Sequence, residues 1–268
     1  MPTPPQTNGR DQHERLLLYG GPDAGKTHTI LTIAKWHQDL DSDAVFYVIA
    51  TDMSYERMLG PGADFESVKN VEYEYAMDMQ DYMDLGRKWN KKVRSHDFLC
   101  VDLLHDAWAA AGDEYSRARY GKDLAERWAT EGSPDEYPVT GWEWGMPNAR
   151  YRTFIQNYIM RCRGHVVCVS GEATLQKESK SGKMQGESEE MEALFGPIGV
   201  KPMGQKADPF RFHDILHLDR WRGNPAIATA RAKQRERLGK SHQGGQVTPV
   251  PIEDFFVEYL MKVGGWKP

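Results

Sequence analysis

Leu16-Leu17-Leu18-Tyr19-Gly20-Gly21-Pro22-Asp23-Ala24-Gly25-Lys26-Thr27-His28 is the stretch on which the fold turns. Leu16 to Tyr19 is a short apolar run stopped by glycine, and it reads as a buried strand. Gly20 to Thr27 fits G-x-x-x-x-G-K-[ST]. From Thr27 to Leu40 the apolar residues Ile30, Leu31, Ile33, Ala34 and Trp36 suit a helix laid against a sheet. A strand, a glycine-rich turn and a helix N-terminus together let backbone N–H groups close around phosphate oxygens, aided by the helix's partial positive charge. Lysine then reaches the β and γ phosphates, and the Thr hydroxyl serves magnesium. The candidate nucleotide-binding residues are Gly20, Gly21, Pro22, Asp23, Ala24, Gly25, Lys26, Thr27 and His28.

Outward from this loop, Ala44 to Ala50 reads as a second buried strand, which completes a βαβ unit. Val71 to Ala76 reads as another short strand, and Met77 to Val93 as a helix with Met79, Tyr82, Met83 and Trp89 inward. Phe98 to Val101 is a further buried strand, Leu104 to Trp128 is mostly helical, Pro147 to Arg163 is a helix, and His165 to Val169 is a strand. Alternation of this kind predicts an α/β fold with a mainly parallel sheet. Phe212 to Leu218 and Ala226 to Ala230 are expected to form a hairpin through Arg222-Gly-Asn-Pro225, and Pro251 to Val263 a closing helix. One domain is expected over 13–268 after a leader at 1–12, with long loops at about 113–146, overlapping the end of the long helix, and at 174–209.

Phe98-Leu-Cys-Val-Asp102 is an apolar strand ending in a carboxylate, suited to hold magnesium together with Thr27. Leu103 stands where many nucleotide hydrolases carry Glu, so the residue that orients the attacking water must come from elsewhere. Ligands of open parallel sheets bind beyond the carboxyl ends of the strands. There, Asp52 and Glu56 follow the second strand and are alternative water-activating residues, while Ser170 and Glu172 follow the strand at 165–169 as phosphate sensors.

With 40% hydrophobic and 27% charged residues, the chain falls outside the disordered and fibrous classes. It lacks the run of roughly 18 apolar residues needed to span a bilayer, and its first ten residues lack the apolar core of a signal peptide. Cys100, Cys162 and Cys168 are an odd set without metal-ligand spacing, so the cytoplasm is the expected compartment. The net charge is −5, yet Lys201 to Lys240 holds ten basic residues against four acidic ones. Lys177, Lys180 and Lys183 punctuate the later loop, and Trp142 and Trp144 neighbour Arg150 and Arg152, as in a groove for single strands; the same residues also suit a solvated loop and a packed lid.

The loop Gly20 to Thr27, the strand Phe98 to Asp102, Gly141-Trp-Glu-Trp-Gly145, His165 to Glu172 and Ala230-Arg-Ala-Lys-Gln-Arg235 resemble the bacteriophage-type RecA-like P-loop ATPases, proteins of recombination and single-strand annealing with a RecA or Rad51-like core. The resemblance spans roughly residues 14 to 262 and departs at Gly171, where family members often carry His. It implies ATP and Mg2+ as ligands, hydrolysis coupled to DNA, single-stranded more than duplex, and a homo-oligomer with nucleotide at subunit interfaces. It further implies that Lys233 and Arg235 reach toward a neighbour's γ phosphate, whereas a strand continued through Arg231, Lys233, Arg235 and Arg237 also suits a solvated or DNA-facing comb. A viral packaging motor ATPase and a slow, nucleotide-switched assembly module are the alternatives. The absence of an Asn/Thr-Lys-x-Asp loop favours adenine over guanine, and Arg117, Arg119 and Arg127 keep a small-molecule kinase in view.

Overall fold

The computed structural model describes residues 13–40, 42–131, 145–175, 188–196, 198–212, 214–219, 227–232 and 250–251. The strands are β1 (Arg15–Gly20), β2 (Phe46–Ala50), β3 (Val71–Tyr75), β4 (Phe98–Asp102), β5 (His165–Ser170), β6 (Glu172–Thr174), β7 (Val200–Pro202), β8 (Asp214–Asp219), β9 (Ile227–Ala232) and β10 (Val250–Pro251). The helices are α1 (Lys26–Asp39), α2 (Ser54–Leu59), α3 (Met79–Lys92), α4 (Leu104–Tyr120), α5 (Leu124–Glu131), α6 (Gly145–Phe154), which runs into a π-helical turn at Ile155–Ile159, and α7 (Glu189–Phe195).

Eight strands form one sheet in the order β10-β9-β8-β1-β5-β4-β2-β3. From β3 to β8 every pairing is parallel, and β9 and β10 close the other edge antiparallel. This is the expected RecA-like P-loop architecture with its C-terminal hairpin. β5 lies between the strand that feeds the glycine-rich loop and the strand that ends at Asp102.

The sheet is covered on both faces, so its central strands are apolar throughout and their residues alternate between two cores. Leu16, Leu18, Phe46, Val48, Phe98 and Cys100 point to the side of Ile30, Leu31 and Ala34 on α1. Leu17, Tyr19, Ile49, Leu99, Val101 and Cys168 point to the other side, against Met79, Tyr82 and Trp89 of α3 and Tyr151 and Phe154 of α6. All of the polar chemistry is thereby pushed to the strand ends.

Two expected loops carry more structure than composition suggested. The stretch 113–146 holds the second half of α4 and all of α5, in line with the helical reading of 104–128; Ala107, Ala111, Gly112 and Ser116 bury a small-residue stripe and Leu124 packs over Gly112. Within 174–209, the Ser188 hydroxyl caps α7 by accepting from Met191 N–H, and Met191 and Phe195 enter the core. β6 and β7 pair antiparallel, and a 3-10 turn forms at Asp208–Arg211. The helix expected from Pro251 lies outside the described residues, apart from Pro251 itself, which belongs to β10.

Candidate nucleotide-binding site

The loop after β1 is shaped by its glycines. Gly25 sits at φ 86° and immediately precedes α1, whose first turn carries no acidic residue. A Cβ on Gly20 would stand 2.4 Å from the Leu218 carbonyl oxygen on β8, so only glycine lets the loop leave the sheet here. Asp23 also takes a positive φ, 58°, which a short polar side chain tolerates best among non-glycine residues. The loop and the α1 N-terminus thus border one cleft, and free N–H groups at such a place bind phosphate elsewhere.

Lys26 Nζ donates to the carbonyls of Gly20 at 3.0 Å and Gly21 at 2.6 Å. Burial pulls its pKa below the ordinary lysine value, against the raising pull of Asp102, Glu172, Asp23 and Asp52. Thr27 Oγ1 donates to Asp102 Oδ2 at 2.7 Å, joining the start of α1 to the end of β4. The same carboxylate oxygen accepts from Tyr55 Oη at 3.2 Å. Burial raises Asp102 to about 6, with Asp52 adding to the rise and Thr27, Tyr55 and Lys26 opposing it. The Asp102–Leu103 peptide is cis.

These groups line a cleft of about 720 Å³ at the carboxyl ends of β1, β4 and β5, within the roughly 300–1,000 Å³ typical of ligand sites. Asp52, His28, Met58, His105, Glu172 and Met203 share its walls. Asp52 Oδ1 accepts from Ser54 N–H at 2.8 Å, which holds the carboxylate at the mouth. Glu56 does not line the cleft, and it is exposed. Ser170 Oγ donates to the Met203 carbonyl at 2.8 Å, so it closes the end of β5 and is buried. Glu172 faces Gly21 and accepts from His217 Nε2 at 3.0 Å.

No family model matches the chain, and no curated protein resembles it in sequence. The crystal structure of the RadB recombinase is similar over 82% of this chain and 81% of that chain, at 17% identity and a TM-score of 0.44.

Thr27 and Asp102 present two hard oxygens side by side, a donor set that suits Mg2+, which takes few protein ligands and completes its shell with phosphate and water. Among the described residues no group of three or more His, Cys, Asp or Glu forms a metal cage. No described helix is long and apolar enough to cross a membrane. Lys233, Arg235, Lys177, Lys180, Lys183, Trp142 and Trp144 lie outside the described residues; β9 reaches Arg231 and Ala232, the start of the comb.

Three residues in the cleft wall or in contact with its carboxylates escaped sequence reasoning. Tyr55 is on the short helix α2, His105 is the second residue of α4, and His217 sits in β8 with its ring 4.8 Å from that of Tyr19. The position of His105, three residues after Asp102, was the one available signal; Tyr55 and His217 carried none.

Proposed function

We propose that the chain is a magnesium-dependent ATPase that acts on DNA, of the bacteriophage recombination and single-strand-handling type, working as a homo-oligomer. The observation that carries this reading is the 2.7 Å contact between Thr27 Oγ1 and Asp102 Oδ2 in the same cleft as Lys26. In it, Lys26 exchanges the Gly20 and Gly21 carbonyls for β and γ phosphate oxygens, and the loop amides and the α1 N-terminus take up the remaining phosphate charge. Thr27 and Asp102 would hold Mg2+, which when bound neutralises charge on the phosphates. Asp52, the acidic residue after β2 that lines the cleft, orients the attacking water in place of a Glu after Asp102, and Glu172 reads the γ phosphate.

Lys233 and Arg235 then complete a neighbour's site, and Lys177, Lys180 and Lys183 with Trp142 and Trp144 hold the single strand. The basic excess between Lys201 and Lys240 in an otherwise acidic chain supports an anionic partner. Leu103 directly after Asp102 favours a second reading, a nucleotide-switched assembly module with slow turnover.

The test is ATP turnover with and without single-stranded DNA, with particle size followed with and without nucleotide. Stimulation together with assembly is expected; turnover indifferent to DNA supports the switch, and stimulation by duplex alone a motor. In calorimetry Lys26→Ala is expected to abolish ATP binding, and unchanged affinity overturns the assignment. DNA affinity is expected to fall steeply with salt, and less steeply once Lys177, Lys180 and Lys183 are neutralised together.

A further inference from the structure

His105 is held in one tautomer by the backbone. Its Nδ1 accepts from Gly171 N–H at 3.1 Å, and Ser170 Oγ is 3.4 Å away on the same side. Burial also lowers its pKa, so the ring is neutral and its single proton sits on Nε2. Asp106 Oδ1 stands 3.5 Å from Nε2, long for a hydrogen bond, which leaves this donor unspent.

The imidazole occupies space that the surrounding backbone has cleared. A Cβ on Gly171 would lie 3.2 Å from His105 Cε1 and 2.7 Å from Met203 Sδ, and a Cβ on Gly204 would lie 3.4 Å from His105 Cβ. The ring lines the same cleft as Lys26, Thr27, Asp102 and Glu172. It also abuts a closed junction: Met203 N–H donates to the Gly171 carbonyl at 2.9 Å while Ser170 Oγ donates to the Met203 carbonyl at 2.8 Å.

We infer that His105 is a further residue of the nucleotide site, donating its Nε2–H to the terminal phosphate of a bound triphosphate while Nδ1 keeps its hold on the Gly171 amide. This deepens the nucleotide-hydrolase reading and rests on it. A neutral donor suits the task because it adds discrimination between triphosphate and diphosphate without another charge beside Lys26. Since both ring nitrogens are engaged, the phosphate contact is tied to the junction of Ser170, Gly171 and Met203 at the base of the β6–β7 hairpin.

The experiment titrates the full chain, wild type, His105→Ala and His105→Gln, with Mg2+ and either a non-hydrolysable ATP analogue or ADP. His105→Ala is expected to lose about 10-fold in triphosphate affinity, the worth of one hydrogen bond to a charged group, with ADP affinity unchanged. His105→Gln, whose amide accepts from Gly171 and donates to phosphate, is expected to keep most of the preference. A loss shared equally by both nucleotides, or no loss, overturns the assignment. In case His105→Ala fails to fold, 15N spectra of the wild-type imidazole supply the second measurement. The Nε2 resonance is expected to move with the triphosphate analogue and not with ADP, and a stationary resonance overturns the inference. Wild-type protein that binds neither nucleotide overturns the hydrolase reading itself, and the role of His105 with it.

Discussion

Glu172 Oε2 accepts from His217 Nε2 at 3.0 Å, so the first residue of the β6–β7 hairpin is tied to β8 across the strand that feeds the glycine-rich loop. The other carboxylate oxygen faces Gly21, where an added Cβ would lie 3.0 Å from it. A carboxylate that is to sense the γ phosphate needs a fixed direction, and the His217 contact supplies it. His217→Ala is therefore expected to slow ATP turnover about 10-fold, in line with one hydrogen bond to a charged group. Nucleotide affinity should change little. Glu172→Gln, which preserves the acceptor for His217, should be milder than Glu172→Ala, and steady-state kinetics on the three variants check the order.

Tyr55 is fully buried and gives its hydroxyl to the carboxylate oxygen that Thr27 also contacts. Tyr55→Phe removes one oxygen and keeps the ring, so the melting temperature should move by only a few degrees. Half-saturation by Mg2+ in the ATPase assay should rise several-fold, because the carboxylate loses a partner that orients it. Asp102→Asn is expected to spare much of the ATP binding and to remove most of the hydrolysis. Full activity in that variant would move the metal role elsewhere.

Acid should destabilise the fold through two histidines at the opposite end of the sheet. Burial holds His37 and His165 at about 4 instead of 6.5, and His37 Nε2 has no hydrogen-bond partner among the described residues. Their folded pKa values lie below the unfolded value, so the unfolded chain takes up protons first and stability is lost as pH falls from about 6.5 toward 4. Each contributes a loss of about 2 kcal/mol by pH 5. Asp102 and Asp208, raised to about 6 by burial, act with the opposite sign. Denaturant melts of wild type and His37→Leu at pH 7 and pH 5 isolate the effect, with the variant expected to lose about 2 kcal/mol less on acidification.

Lys233→Ala and Arg235→Ala are expected to leave ATP binding nearly intact and to cut turnover by orders of magnitude, as loss of a cation supplied in trans does. Mixing either variant with Lys26→Ala protein, which keeps the basic comb and lacks its own nucleotide lysine, should restore part of the activity through mixed interfaces. A turnover per subunit that is independent of protein concentration, in a species that stays monomeric with ATP and DNA, would sink the interface role.

By itself the sequence determined those parts whose chemistry is local. Gly20 to Thr27 carries strand end, turn and helix start within one short stretch, and Phe98 to Asp102 carries its burial and its carboxylate together, so both were legible without a partner. Unbroken apolar runs likewise announced a sheet covered on both faces. Legibility failed within 174–209, where composition suggested loop and the structure forms α7 because Met191 and Phe195 enter the core. Only the tertiary structure decided that β5 enters between β1 and β4, and that Thr27 meets Asp102 across 75 residues of chain. It also set His105 in the cleft wall, placed Tyr55 and His217 against the carboxylates that line it, and kept Glu56 out of it. The reason is physical: side-chain period and propensity act over a few residues, whereas the partner of a polar group at a strand end depends on which strands lie beside it and in what register.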